Sequence, residues 1–153
     1  KDIVKVRSPE ATRPWQHVLE PLSGYLTLGQ GLVENSNNHG EQYNFGPRAE
    51  QNHTVKDLLS DLSEYWEFED PESAYLITDN IPFHEAGLLK LNCDKALFHL
   101  KWEANLNYNE CIKFVSEWYF KFYQGDNDML EITRQQINDY HKAAKNKNLV
   151  WSK

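Results

Sequence analysis

Arg13 stands beside Pro14 and Trp15, where a β-prone run and its turn give way to the first long helical pattern. A guanidinium at such a junction can fork onto two phosphate oxygens. His84-Glu85 sets an imidazole directly beside a carboxylate. That pairing suits acid/base chemistry, although adjacent side chains of an extended segment face opposite ways. The remaining histidines, His17, His39, His53, His99 and His141, are scattered. Cys93 and Cys111 are too few for a disulfide scaffold and lack the Cys/His spacing of a zinc site, so they fit a reducing, cytoplasmic compartment. Gly29-Gln30-Gly31 lies inside a helical pattern, without the third glycine or the preceding strand of a dinucleotide-binding turn. A nucleophile elbow, a Walker loop, an HExxH pair and a Tyr-x-x-x-Lys pair are all missing. The residues offer a phosphate-binding arginine and no complete catalytic constellation.

These side chains need a scaffold, and 153 residues at 40% apolar and 13% aromatic supply one core. A formal charge of −7 repels a phosphate backbone and argues against sequence-independent nucleic-acid binding. No apolar run approaches the roughly 18–20 residues of a bilayer span, and no secretory signal pattern opens the sequence. It begins at Lys1 and its one methionine is Met129, so a processed product or a piece of something longer is expected.

Ile3 to Val6 reads as a strand ending at Ser8-Pro9. From Trp15, the apolar residues Val18, Leu22, Tyr25, Leu26 and Leu32 predict a helix that fades near Gly31. Asn35 to Gly40 is a polar loop, and Gln42 to Phe45 a short strand closed by Gly46-Pro47. Thr54 caps a second helix through Trp66, and Glu67 to Glu72 is an acidic loop. Ala74 to Ile77 and Leu88 to Leu91 read as short strands around Pro82, followed by a short helix from Asp94 to Leu100. Asn107 caps a third long helix that Gly125 stops, and Thr133 to Lys145 forms the last. Trp66, Trp118 and Tyr119, at helical spacing, read as core. About four helices with short strands indicate a small α/β unit of α+β character. Residues 1–153 form a single domain, of which about 126–153 are expected to be a peripheral C-terminal extension.

The run Arg13-Pro14-Trp15-Gln16-His17-Val18-Leu19-Glu20-Pro21-Leu22-Ser23-Gly24-Tyr25 closely resembles a signature of CDP-glucose 4,6-dehydratases, nucleotide-sugar enzymes of the extended short-chain dehydrogenase/reductase group. Tyr43 to Pro47 resembles the family's Asn-Phe-Gly-Pro turn, and His84-Glu85-Ala86 with Leu89-Lys90-Leu91 resembles its His-Glu-Ala and Leu-Lys-Leu segment. Lys95, Ala96, Leu100 and Trp102 resemble the stretch that ends in Leu-Gly-Trp, with Lys101 in place of the glycine.

The resemblance implies the C-terminal, substrate-binding domain of such an enzyme, with the Rossmann cofactor half absent. The whole enzyme would convert CDP-D-glucose to CDP-4-dehydro-6-deoxy-D-glucose and water, using tightly held NAD that takes a hydride from the sugar and returns it. Arg13 would bind the nucleotide diphosphate, and Val4, Lys5 and Val6 would lie against the base. His84 would contact phosphate or ribose, and Glu85 a ribose hydroxyl or Arg13. The resemblance implies no catalytic residue and no NAD motif in this chain, which alone would be inactive. Its partners would be CDP-glucose, the N-terminal cofactor domain and, in a homo-oligomer, a second copy, with neither nucleic acid nor membrane. A non-catalytic nucleotide-sugar binding or regulatory module stands as the alternative. A structural subdomain exposing an apolar patch to a partner domain is the third reading.

Overall fold

A computed structural model describes residues 3–34, 38–66, 68, 70–78, 86–125 and 128–153. Strand β1 (Val4–Val6) pairs in parallel with β2 (Tyr75–Ile77), Val4 opposite Tyr75 and Val6 opposite Ile77. The crossover between them carries α1 (Leu19–Glu34), α2 (Val55–Tyr65) and a 3-10 turn (Pro71–Ala74). A π-helical turn (Ala96–Leu100), α3 (Tyr108–Gln124), α4 (Met129–Asn146) and a last 3-10 turn (Val150–Ser152) follow β2.

Local chemistry sets the helix ends. Thr54 and Asp57 form a reciprocal capping box on α2, and Asn107 and Glu110 form another on α3. Gly125, at a φ of 71°, ends α3, and Asp128 caps α4 by accepting from the Glu131 N–H at 3.1 Å. α4 therefore starts earlier than Thr133. α1 begins at Leu19 instead of Trp15 and runs past Gly31 to Glu34. Pro21 sits in its first turn, where the missing N–H has no intrahelical partner to lose.

The strands expected at Gln42–Phe45 and Leu88–Leu91 do not form. These segments lack a ladder, and only an isolated bridge joins Thr12 to Leu88. Side chains hold them instead: Gln16 donates to the Phe45 carbonyl, Asn44 to that of Asn92 and Lys90 to that of Ala49. Of the expected loops, Asn35–Ser36–Asn37, Glu67, Glu69 and the Pro82 connection lie outside the described residues.

Two buried clusters hold the chain together. Phe45, Ala96, Trp102 and Ala104 pack with Leu28, Tyr43, Leu100 and Trp151, while Val6, Ala74 and Tyr75 pack with Val55, Leu59 and Phe68 beneath α2. Within residues 128–153, Tyr140, Ala144, Leu149 and Ser152 are buried. Trp151 stacks on Tyr140, and Lys147 donates to the Asn105 carbonyl at 2.6 Å. The aromatic face of α3 is wider than the core it covers, since Tyr119 and Phe122 are half exposed.

Candidate functional site

The turn after β1 is tied to α2 before Arg13 is reached. The N–H groups of Val55 and Lys56, unpaired within α2, donate to the carbonyls of Ala11 and Pro9 at 3.0 Å each. Thr12 then bridges two segments. It forms an antiparallel bridge with Thr54 and a parallel one with Leu88, and its N–H donates to the Gly87 carbonyl at 2.8 Å. Arg13 inherits this rigidity. Its Nη1 donates to the carbonyls of Thr12 at 2.8 Å and Ala86 at 3.1 Å, which fixes the plane of the guanidinium.

The residues after Arg13 anchor the other end of the loop. Trp15 Nε1 donates to the His53 carbonyl at 2.9 Å, and the His53 ring stacks on Tyr108 with centroids 3.5 Å apart. Gln16 reaches the Phe45 carbonyl at 3.1 Å. His17 is buried, its Nδ1 accepts from the Leu19 N–H at 3.3 Å, and burial lowers its pKa. Glu20 is 1% exposed. Its Oε1 accepts from the Leu106 N–H at 2.6 Å, and its Oε2 from the Asn105 N–H at 2.9 Å and the Tyr140 hydroxyl at 3.1 Å. Ser23 Oγ accepts from Trp102 Nε1 at 2.9 Å, so α1, the 102–106 segment and α4 meet at one polar knot. Burial raises the Glu20 carboxyl above the ordinary range, and the hydrogen bonds from Leu106, Asn105 and Tyr140 restrain that rise.

The sequence-predicted site residues fall into three situations. Arg13 is half-buried at the edge of a narrow cleft that Arg48 and Lys90 also line. Val4 and Lys5 are exposed on β1. The Val6 side chain instead lies in the core at 5% exposure, and its carbonyl already accepts from the Thr78 N–H at 2.9 Å. His84 and Glu85 lie outside the described residues, but the adjoining Ala86 and Gly87 are the groups that Arg13 and Thr12 grip. Arg48 and Lys90 were missed because they reach the cleft by tertiary contact. Arg48 pairs with Glu103 at 3.0 Å, and Lys90 Nζ donates to the Ala49 carbonyl at 3.1 Å. Their one sequence signal is a basic residue directly after the Phe-Gly-Pro turn and another inside Leu-Lys-Leu.

Gly46 has no positive φ, and what it provides is space. A Cβ there would lie 2.9 Å from Leu91 Cδ1 and 3.1 Å from Leu91 Cβ.

Arg13, Arg48 and Lys90 bring three cationic side chains to the cleft. Burial raises the Cys111 thiol to about 12 and also raises Cys93, which leaves both poor nucleophiles. The Tyr108 and Tyr140 hydroxyls are raised by burial too. The described residues contain no group of three His, Cys, Asp or Glu that could hold a metal, and none of their helices is long and apolar enough to cross a membrane. Gly29 and Gly31 sit within α1 and not in a turn ahead of a helix N-terminus.

No protein-family model matches the chain. Against curated proteins, it is 39% identical over 141 residues to the CDP-glucose 4,6-dehydratase of Salmonella typhimurium. The match covers 92% of this chain and 38% of the relative, so the chain spans little more than a third of that enzyme's length. Over nearly its whole length, the chain is homologous to part of a CDP-glucose 4,6-dehydratase.

Proposed function

We propose that this chain is the C-terminal, substrate-binding portion of a CDP-glucose 4,6-dehydratase in the extended short-chain dehydrogenase/reductase group. The observation that carries the reading is the 39% identity across 92% of the chain. The pinned guanidinium of Arg13 is consistent with it.

In this reading Arg13 forks onto the diphosphate of CDP-glucose, a contact that a fixed planar donor set makes better than a point charge. Val4 and Lys5 lie against the base, and Val6 supports them from the core. His84 contacts phosphate or ribose, and Glu85 contacts a ribose hydroxyl or Arg13. NAD and the residues that do the chemistry belong to the portion of the enzyme outside this sequence, and the chain alone turns over no substrate.

The test is calorimetric titration of the chain with CDP-glucose, UDP-glucose and dTDP-glucose, repeated with Arg13→Ala. Loss of a charge-assisted fork costs about 1.5–3 kcal/mol, roughly ten- to a hundredfold in affinity. CDP-selective binding that Arg13→Ala weakens to that extent supports the reading. Equal binding by the variant, or no preference for the cytidine sugar, overturns it.

A further inference from the structure

The loop that carries Arg13 enters α1 through a buried imidazole. His17 stands four residues after Arg13 and is 7% exposed. Its carbonyl accepts from the Glu20 N–H at 3.0 Å, and its Nδ1 accepts from the Leu19 N–H at 3.3 Å. Leu19 is the first residue of α1, where a backbone N–H has no partner inside the helix. His17 therefore does with a ring nitrogen what Thr54 and Asn107 do with side-chain oxygens at α2 and α3. Unlike those oxygens, the nitrogen can lose this capacity. To accept, Nδ1 must be unprotonated, which leaves the single ring proton of the neutral imidazole on Nε2. A proton added at Nδ1 turns the acceptor into a donor, and the Leu19 N–H then faces another N–H.

The surroundings oppose that proton. The ring meets Phe114 edge-on with centroids 5.5 Å apart, and it shares an apolar cavity with Leu22, Trp118 and Ile137. Burial lowers the His17 pKa, with no neighbouring charge contributing. Of the side chains that α3 and α4 present to the cavity, Tyr119 is titratable, while Thr133 and Gln136 are polar without titrating. On α1 itself, Glu20 titrates as well, with a carboxyl that burial raises. A charged ring in this setting gives up its hold on Leu19, so the first turn of α1 and the loop ahead of it loosen together.

We propose that His17 is a pH-responsive positioning residue for Arg13: the neutral imidazole locks the Arg13 loop to the first turn of α1, and protonation of Nδ1 releases it. The proposal deepens the diphosphate-binding reading of Arg13 and rests on it for its functional consequence. The direction is fixed by the burial. With the folded pKa lowered, the lock is complete above the ordinary imidazole range and is lost as pH falls through the folded pKa. Affinity for a nucleoside diphosphate sugar therefore falls with acid. A histidine that itself touched phosphate would act with the opposite sign, because its added proton attracts the anion.

Two variants hold the lock in one state each. His17→Asn keeps a side-chain oxygen that can accept from Leu19 and does not titrate, whereas His17→Phe keeps the ring packing on Phe114 without an acceptor. Both are compared with the unsubstituted 153-residue chain, from neutral pH down through the imidazole range. The two readouts are calorimetric affinity for CDP-glucose and the Arg13 Nε–H resonance of an isotope-labelled, ligand-free sample. In the unsubstituted chain, acid should weaken binding about two- to tenfold, the range of one net hydrogen bond, and should move the Arg13 resonance with the midpoint of the His17 ring signals. His17→Asn should keep the neutral-pH affinity and resonance throughout, and His17→Phe should keep the acid ones. Glu20 is intact in all three proteins, so the response that vanishes with the imidazole belongs to His17. An Arg13 resonance that moves in His17→Asn as it does in the unsubstituted chain, or that stays still while His17 titrates, overturns the proposal. So does a His17→Phe variant that binds as tightly as the unsubstituted chain at neutral pH. If none of the three binds CDP-glucose, the diphosphate reading fails, and the ligand-free Arg13 resonance decides the positioning role on its own.

Discussion

Replacing Glu20 with Gln separates the work of the buried carboxylate from that of the apolar packing around it. Both carboxylate oxygens accept, one from Leu106 N–H at 2.6 Å, the other from Asn105 N–H at 2.9 Å and the Tyr140 hydroxyl at 3.1 Å. An amide of the same shape offers one oxygen and one NH2, so in either orientation a buried backbone N–H faces another donor. One unpaired buried donor costs about 1–3 kcal/mol, and at about 2–4 °C per kcal/mol the chain should melt about 2–12 °C lower. Ala, which strands the two backbone N–H groups and opens a cavity while the Tyr140 hydroxyl keeps Ser23 Oγ at 3.1 Å, should cost about 3–5 kcal/mol.

Acidity gives a second signature. Burial raises the Glu20 pKa, so the folded chain keeps the proton to a higher pH than the unfolded chain does. The stability this provides is complete below the unfolded pKa and is lost as pH rises through the folded one. Gln does not titrate, so the gap between wild type and Glu20→Gln should narrow as pH rises from the unfolded pKa through the raised folded one. Thermal unfolding followed by far-ultraviolet circular dichroism reads both effects. A variant within about 1 °C of wild type at every pH, or a gap that widens with pH, would refute the reasoning.

Lys101 adopts a φ of 54° at the end of the π-helical turn, in the place where the family motif has glycine. A left-handed L residue costs roughly 1–2 kcal/mol, and glycine returns about 0.4–1 kcal/mol of that through a freer unfolded chain. Lys101→Gly should therefore raise the urea midpoint by a net of about 0.5–1 kcal/mol in stability, and a lower midpoint contradicts the account. Two α1 glycines should respond with opposite signs. A Cβ at Gly24 would lie 2.4 Å from the packed Phe45 ring, so Gly24→Ala should cost about 1–3 kcal/mol. Gly29 meets nothing within 4 Å, and Gly29→Ala should add about 1 kcal/mol of helix propensity to the isolated chain. Chemical denaturation of the pair checks both, and shifts of the same sign would fail the packing argument.

What the sequence disclosed divides by range. Both capping boxes were half visible, because Thr54 and Asn107 act on residues three positions away. The pairing of Val4–Val6 with Tyr75–Ile77 was not visible, although each strand could be recognised, because register depends on partners about 70 residues apart. Gln42–Phe45 and Leu88–Leu91 have strand-like composition, yet the ladder partners that propensity presumes are replaced by side-chain donors from Gln16, Asn44 and Lys90. At the site, Arg13 could be singled out by type and position. Arg48 and Lys90 could not, since only folding brings their segments to the same cleft. Glu20 reads in sequence as an ordinary first-turn acid of a helix. Only the approach of the 105–106 backbone and Tyr140 makes it the buried anchor of the loop.

That anchor bears on how Arg13 can act. An arginine gives up roughly 2 kcal/mol of rotamer entropy when fully immobilised, and a site that meets part of this loss on folding binds its anion more tightly. Here the loss is met on two sides. Thr12 and Ala86 carbonyls share Nη1, and the neighbouring Thr12 N–H to Gly87 contact at 2.8 Å holds those two segments together independently of any ligand. Downstream, Trp15 and Gln16 fasten the loop to the 45–53 segment, and Glu20 fastens the start of α1 to the 105–106 backbone and to α4. Each fastening is a hydrogen bond onto backbone or a buried acid, not an exposed ion pair that salt would screen. The position of the guanidinium is therefore a property of the folded chain, and the loop that carries it needs no ligand to order it.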